Sequence, residues 1–437
     1  MSDARLSCRP HACSLSDRCP LIPSLQSDRP GERASVDSRR RRLVAAASAA
    51  LVAVTTSAGC SRQAPSEGPA TALQIVAQVP VDITGSEIKL DQGAPPVNPA
   101  GDGKASCPPL TIAMAGPLTG ADAPFGRNVR DGAQLAVDQH NAANPGCQVT
   151  LRAFDTEGDP QKATAVAPQI VNDPAIVGLV GPTWSGETKA TGQVFNAAGL
   201  VAITPSATNV ALSERGWKTF FRGLSNDGVQ GPSLANYLKN TLGVKKACVV
   251  DDSTDAGVGQ AQAVRDTLGP IADSACNVSI KKGDKDFSAA VTKIRAQSPD
   301  VVVYAAYYTE GALLLQQLRE AGYTGLFAGP DGLKDPQFVK AAGESADGAV
   351  LSCPCGPAAG GFAEQYAAKF GQQPGTYSVE AYDAATVLLT GIDSGAITRP
   401  ALLDFVRNYD GQGVARKYRW TGTGELTSNL IWIYKVQ

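Results

Sequence analysis

Small hydroxyl side chains follow two apolar segments of this sequence, and a carboxylate follows a third. Ser185 comes shortly after "IVGLVGP", Ser206 and Thr208 end "LVAITPSAT", and Asp331 follows "LFAGP". A hydroxyl at the start of a helix, where backbone N–H groups are unpaired, helps to hold an anion such as a carboxylate. Because a carboxylate such as Asp331 holds a cation, these residues together predict a site for a small ligand that carries both charges.

Each of these groups alone also has an ordinary structural explanation. A serine such as Ser185 is a common helix N-cap, worth about 1 kcal/mol, and "TPSAT" is typical of a polar turn. The ligand hypothesis therefore depends on whether the fold brings the three segments to one place.

Strand-like and helix-like segments alternate along most of the chain. The runs "LTIAMA", "VTLRAFD", "IVGLVGP" and "LVAITPS" are separated by segments with apolar residues at helical spacing. The strands are largely continuous in apolar residues, which is typical of a parallel sheet covered on both faces. Since a second alternating set occupies about residues 233–332, the sequence predicts an α/β protein with two lobes, each a parallel sheet flanked by helices.

A length of 437 residues also favours two domains over one. We assign residues 107–222 with 356–415 to lobe 1 and residues 223–355 with 416–437 to lobe 2, with a hinge near "FFRGLSNDG". The strand-like segments "RKYRWT" and "LIWIYKV" are expected to return to lobe 2. Ligands of open α/β sheets bind at the carboxyl ends of the strands, so a cleft between the lobes would collect the residues that follow each strand.

The N-terminal part of the chain has the layout of an export signal. Arg39 to Arg42 precede an apolar run from Leu43 to Val54, and small residues and Cys60 follow. The run is too short for a permanent membrane span, although an uncleaved signal anchor stays an alternative. The ending "SAGC" resembles the bacterial lipobox, which implies that Cys60 carries a lipid and becomes the mature N-terminus.

These features divide the first 106 residues into three segments. We expect residues 1–38 to be a disordered or mis-assigned prefix, residues 39–59 a lipoprotein signal peptide, and residues 60–106 a tether with one short strand at "LQIVAQV". The protein is therefore expected to be exported and anchored by its lipid to the outer face of the cytoplasmic membrane.

The cysteines fit an exported protein that forms disulfides. The chain has ten, and six remain when Cys8, Cys13, Cys19 and the lipid-bearing Cys60 are set aside. Six cysteines allow 15 connectivities. A metal site is the alternative, but no C-x-x-C occurs and no metal is expected. The positions along the strands suggest the pairs Cys107 with Cys147, Cys248 with Cys276, and Cys353 with Cys355.

Charge and motifs exclude other classes of function. Residues 1–59 hold nine of the 39 basic residues and five of the 41 acidic ones, so the rest of the chain is acidic and no nucleic-acid partner is expected. A Ser-His-Asp hydrolase needs a histidine beside its serine, but His140 lies in a predicted helix. Neither G-x-S-x-G nor G-x-x-x-x-G-K-[ST] occurs. We therefore expect a monomeric binding protein without a cofactor, not an enzyme.

Several dispersed motifs resemble those of type I periplasmic binding proteins, specifically the branched-chain amino acid binding components of ABC importers. The resemblance covers about residues 107–437. It implies a two-lobed protein that closes like a hinge around an amino acid, branched-chain or otherwise apolar, and delivers it to a membrane permease. The motifs are "MAGPLTGADAPFGRNVRDGAQLAVDQHN", "GPTWSGET", "ITPSAT", "FFRGLSNDGVQG", "FAGPDG" and "WTGTGEL".

The resemblance also assigns the residues that would hold the ligand's carboxylate. Ser185 and Thr208 match the side chains that bind it in the family, with backbone help at Trp184 and Ser206. The small side chains around Ala207 let a charged ligand head approach the backbone.

The same resemblance assigns other residues to the binding of the ligand's ammonium and side chain. Asp331 matches the acid that binds the ammonium, assisted by the Ser206 carbonyl and by the position of Tyr307. Phe125 matches an aromatic residue near the side-chain pocket.

Two departures from the family pattern affect the side-chain end of this site. Ala256 stands where members often have a tyrosine, and Trp184 replaces a small residue. The family disulfide near "GPTWSGET" is also absent. The alternative ligands are therefore a small amide, urea or an aromatic compound, bound for uptake or for sensing.

Overall fold

The computed structural model describes residues 73–90, 93–359 and 361–437. These residues belong to one compact unit. The expected prefix, the signal peptide and Cys60 lie outside the described residues. Among the residues that are described, no helix is both long and apolar enough to cross a membrane.

Strands and helices alternate in the order expected from the sequence. The strands are β1 (Ile75–Val81), β2 (Leu110–Gly116), β3 (Val149–Asp155), β4 (Ile176–Val180), β5 (Val201–Thr204), β6 (Phe220–Arg222), β7 (Ala247–Asp251), β8 (Val278–Ser279), β9 (Val301–Ala305), β10 (Leu326–Gly329), β11 (Val350–Cys353), β12 (Gly411–Gln412), β13 (Lys417–Tyr418) and β14 (Ile431–Val436). The α-helices are α1 (Ala123–Ala143), α2 (Pro160–Val171), α3 (Ser185–Ala197), α4 (Asp227–Asn236), α5 (Asp255–Leu268), α6 (Ser288–Gln297), α7 (Tyr308–Glu320), α8 (Pro336–Ala342), α9 (Phe362–Phe370), α10 (Ser378–Asp393) and α11 (Arg399–Arg407).

The first sheet has five parallel strands in the order β3-β2-β4-β5-β6. Helices α2 and α3 pack on one face, and α1, α10 and α11 pack on the other. Ile112 and Met114 of β2 contribute to one core, whereas Ala113 and Ala115 contribute to the other, because successive side chains of a strand point to opposite faces. The continuous apolar strands of the sequence therefore reflect burial on both faces.

The second sheet has seven strands in the order β1-β14-β11-β10-β9-β7-β8. The strands from β11 to β8 run parallel, and β14 lies antiparallel between β1 and β11. Helices α4 and α5 cover one face, and α6, α7 and α8 cover the other. We call the first sheet with its helices lobe 1 and the second sheet with its helices lobe 2.

The short strand expected within the tether is β1, and it is an integral part of lobe 2. It pairs with β14 from Ile75 opposite Val436 to Val81 opposite Ile431. Residues 75–81 are therefore part of a folded sheet, because their apolar side chains complete the core beside the last strand.

The segment "RKYRWT" was expected in lobe 2, and the structure places it elsewhere. Its strand β13 pairs with β12 in a separate two-stranded sheet. Asp383 of α10 holds the intervening turn, because its carboxylate accepts hydrogen bonds of 2.8 Å from the backbone N–H groups of Val414 and Ala415. The segment is thus tied to a lobe 1 helix, whereas "LIWIYKV" forms β14 of the second sheet.

Three disulfide bonds join the pairs suggested by the sequence. The first ties the segments before β2 and β3, the second ties β7 to the segment before β8, and the third closes a tight turn after β11. They are Cys107–Cys147, Cys248–Cys276 and Cys353–Cys355.

Replacing both Cys107 and Cys147 by serine should lower the free energy of unfolding by about 2 to 4 kcal/mol. The bond spans a sequence separation of 40 residues, so it restricts the unfolded chain strongly. The matched control replaces Cys353 and Cys355, which are separated by only 2 residues, and should cost less by the same loop-closure reasoning. Urea unfolding followed by circular dichroism measures both losses, and equal losses would contradict this account.

Candidate functional site

A cavity lies between the two lobes, where the carboxyl ends of β4 and β5 face those of β9 and β10. Seven of the nine ligand-binding residues expected from the sequence line it, so the fold does bring the separate segments together. Those seven are Trp184, Ser185, Ser206, Thr208, Ala256, Tyr307 and Asp331. The remaining wall residues are Asp227, Gly257, Gln260, Ala305, Ala306, Pro330, Gly332 and Tyr377.

Ala207 and Phe125 support the cavity from behind and do not line it. The Ala207 carbonyl accepts a hydrogen bond from the Arg222 guanidinium. The ring of Phe125 lies 5.1 Å from that of Trp184 and 5.6 Å from that of Tyr377 between centroids. These two residues thus position wall residues through contacts outside the cavity.

Ser185 presents a hydroxyl hydrogen to the cavity. Its Oγ accepts a hydrogen bond of 3.2 Å from the backbone N–H of Asn209, which leaves its own hydrogen available to a ligand. As the first residue of α3 it also lies at the positive end of the helix dipole. The helix start is fixed because the Trp184 N–H donates to Glu187 over 2.9 Å. Burial raises the pKa of Glu187 to about 7.

A buried arginine holds the turn that carries Ser206 and Thr208. Arg222, at the end of β6, is fully buried and donates to the carbonyls of Ala207 and Asn209. Glu425 pairs with it, with an Nη2 to Oε1 distance of 2.8 Å. Arg222 thus holds the backbone on both sides of Thr208 by hydrogen bonds and stabilises the turn. Arg222 itself does not line the cavity.

Asp331 is the acid of the opposite wall, and two donors from different elements hold it. Gln230 Nε2 of α4 lies 3.2 Å from its Oδ1, and the Tyr377 hydroxyl lies 2.8 Å from its Oδ2. Burial raises the pKa of Asp331, and the hydrogen bonds from Tyr377 and Gln230 oppose that rise. A cation in the cavity would favour the charged form further.

Three polar wall residues were not expected from the sequence: Asp227, Gln260 and Tyr377. Asp227 begins α4, and its backbone N–H donates to the Thr208 carbonyl over 2.9 Å. Burial raises the pKa of Asp227 to about 7, the Thr208 hydroxyl opposes that rise and the charge of Asp331 adds to it. Asp227 lies in "SNDGVQG", a segment counted among the family motifs, and this position could have identified it as a wall residue.

Tyr377 and Gln260 carried no comparable signal. Tyr377 has a φ of 70°, an uncommon conformation for a residue other than glycine, and no local pattern announces it. Gln260 lies within the helical pattern of α5, where a glutamine is ordinarily a solvent-facing residue.

Aromatic rings close the rest of the cavity. Trp184 and Tyr307 have ring centroids 4.6 Å apart, and both are buried. Ala256 contributes only a methyl group at the position where family members often have a tyrosine ring. The wall beyond the charged groups is therefore largely apolar.

Direct contacts join the lobes around the cavity. Asp122 of lobe 1 forms an ion pair with Lys282 of lobe 2. Nearer the solvent, Lys189 of α3 pairs with Asp255 of α5 at 2.6 Å. The Tyr308 hydroxyl also donates across the cleft to the Ala121 carbonyl over 2.9 Å.

Comparison with known proteins matches most of this chain. A family model described as periplasmic binding protein covers residues 109–437. The leucine-, isoleucine-, valine-, threonine-, and alanine-binding protein of Pseudomonas aeruginosa is 31% identical over 301 residues, which covers 67% of this chain and 80% of that protein. Leu/Ile/Val-binding protein homolog 3 of Brucella melitensis is 32% identical over 337 residues, covering 75% of this chain and 91% of that protein.

A solved structure agrees with the fold. The branched-chain amino acid transporter substrate binding protein of Streptococcus pneumoniae, in complex with isoleucine, has a TM-score of 0.70 and is 26% identical. The match covers 76% of this chain and 99% of that chain. The α/β architecture expected from the sequence, with parallel sheets flanked by helices, is confirmed.

Replacing Arg222 by methionine should lower the free energy of unfolding by at least about 2 kcal/mol, because two backbone carbonyls and Glu425 lose their partner. The control is Arg407→Met, whose ion pair with Asp404 has side chains 40% and 72% exposed and should cost less than about 1 kcal/mol. Thermal and urea unfolding measure both. Similar losses in the two variants would show that Arg222 does not clamp the turn.

Proposed function

This chain belongs to the periplasmic binding protein family, and from that premise we propose that it is the substrate-binding protein of an ABC importer, which captures an amino acid between its lobes and delivers it to a membrane permease. The observation that carries the proposal is that two kinds of polar group face each other across one cavity. The Ser185 hydroxyl and the turn that carries Thr208 belong to lobe 1, and the buried carboxylate of Asp331 belongs to lobe 2.

The charged head of an amino acid fits these two walls. Its carboxylate would accept hydrogen bonds from Ser185 at the start of α3 and from the turn that carries Thr208, and its ammonium would donate to Asp331. Each charge-assisted hydrogen bond contributes roughly 1.5 to 3 kcal/mol. Three or four of them with apolar burial reach the roughly −8 kcal/mol of a micromolar dissociation constant.

The apolar part of the cavity supports a branched-chain or other apolar side chain. Trp184, Ala305, Ala306 and Tyr307 supply that wall. Relatives named for leucine, isoleucine and valine support the same class. A small amide, urea or aromatic ligand is the alternative, but it would leave Asp331 without a cation in a buried site.

Hinge closure would couple binding to delivery. We propose that residues 107–222 with 356–421 and residues 223–355 with 430–437 move as two bodies, with β1 following the second. The contacts between Asp122 and Lys282 and between Tyr308 and Ala121 support a closed arrangement. The permease would then bind the closed, ligand-bound protein.

The remaining assignments complete the proposed role. We propose that residues 39–59 direct export, that lipid on Cys60 anchors a monomer to the outer face of the cytoplasmic membrane, and that the protein performs no catalysis. Family members are substrate-binding proteins. In this chain His140 is fully buried and its Nε2 lies 2.8 Å from Asp393, which supports a structural role for it.

Replacing Asp331 by asparagine should weaken amino-acid binding at least tenfold, because a neutral amide cannot pair with the ammonium and turns donors toward it. Titration calorimetry with leucine, isoleucine and valine measures the change. Asp335→Asn is the matched control, since Asp335 is also buried but caps α8 through Gln337 outside the cavity. Unchanged affinity in Asp331→Asn would rule out the ammonium site.

Replacing Lys282 by methionine should raise the rate of ligand dissociation roughly 3- to 30-fold, because closure would then leave the buried Asp122 without its cation. Lys189→Met removes the other cross-lobe ion pair, whose side chains are 46% and 37% exposed. It should change the rate by less than about fivefold. Stopped-flow fluorescence measures both rates, and a larger effect of Lys189→Met would show that Lys189, and not Lys282, stabilises the closed arrangement.

A further inference from the structure

One polar side chain of the cavity has no use in the binding of an amino-acid head. Gln260 lines the cavity and is 3% exposed. Neither its Nε2 nor its Oε1 has a hydrogen-bond partner among the residues that the structure describes. A buried amide without partners is costly, so such groups in native proteins usually have a partner that remains to be identified.

The wall residues proposed to hold the ligand's head, Ser185, Ser206 and Asp331, differ from Gln260 in this respect. The Ser206 hydroxyl donates to the Thr183 carbonyl over 2.7 Å, and both carboxylate oxygens of Asp331 accept hydrogen bonds. Ser185 accepts from a backbone N–H. These partners hold the head-binding groups in place, whereas no group of the described residues satisfies the Gln260 amide.

The position of Gln260 assigns it to the ligand's side chain. It stands four residues after Ala256 on α5, so the two residues share one face of the helix, and both line the cavity. The small Ala256 leaves room on that face. The neighbouring Asp227 adds an oxygen, Oδ2, that also has no partner in the described part of the chain.

We propose that Gln260 is a specificity-determining residue that hydrogen-bonds a neutral polar group on the ligand's side chain, so that the protein prefers amino acids with a hydroxyl or carboxamide over their aliphatic isosteres. This inference rests on the proposed capture of an amino acid and replaces the apolar side chain proposed above by a polar one of similar shape. An amide supplies one donor group and one acceptor group, which matches a hydroxyl or a carboxamide without requiring a charge.

Two pairs of amino acids of nearly equal shape isolate this effect. Threonine and valine differ by a hydroxyl in place of a methyl group, and asparagine and leucine differ by a carboxamide in place of an isopropyl group. A site built to hydrogen-bond its ligand rejects the analogue that lacks the group, because its own polar atoms stay unpaired. We expect the polar member of at least one pair to bind about tenfold or more tightly than the aliphatic member.

The test is titration calorimetry of the purified protein and of Gln260→Leu with these four amino acids and lysine. In Gln260→Leu the preference should disappear or reverse, while leucine binding is retained or strengthened, which also shows that the variant is folded. Gln262→Leu is the control, because Gln262 is exposed on the same helix and its amide already donates to Asp266. It should leave every ratio unchanged.

The outcomes separate this inference from the function on which it rests. If the protein binds valine and leucine at least as tightly as threonine and asparagine, or if Gln260→Leu leaves the ratios unchanged, the role of Gln260 is wrong and amino-acid capture still stands. Tighter binding of lysine than of asparagine would also contradict the proposed role of Gln260, because it would show that Asp227 binds a cationic side chain. If none of the amino acids binds, the proposed function fails together with the inference.

Discussion

A carboxylate buried between two lobes constrains much of this structure. Asp331 has lost most of its water, and burial raises its pKa. Its two donors, Gln230 and Tyr377, come from opposite sides of the cleft. In the closed cavity both sides therefore help to hold the charged form of Asp331, and a ligand cation would add to that stability. The charge of Asp331 in turn disfavours the charged form of the neighbouring Asp227.

The backbone that faces this acid is held from behind by residues that never reach the cavity. Arg222 ends β6 and joins the turn around Thr208 to Glu425 near the C-terminal strand. The motifs "FFRGLSNDG" and "WTGTGEL" thus meet at one ion pair. The rigidity of the turn consequently depends on residues about 200 positions apart in the chain.

Much of the fold and part of the site could be predicted from the sequence. Continuous apolar strands and helical spacing identified the two sheets, and the rule that ligands lie beyond strand ends selected Ser185, Thr208 and Asp331. Arg222 and Tyr377 could not be identified in this way, because their roles arise from contacts between distant segments. Gln260 could not be identified either, because only the packing of α5 brings it to the cavity. The place of β13 was also missed, since two residues of extended chain carry too little pattern to show which element they join.

The pairing of β1 with β14 places both ends of the folded unit in lobe 2. Gln74 and Gln437 exchange backbone hydrogen bonds of 2.9 and 3.0 Å, so the segment that enters the folded unit and the segment that ends it leave lobe 2 side by side. In the hinge motion proposed above, lobe 2 would therefore keep its position relative to the chain that precedes Gln74, and lobe 1 would be the moving body.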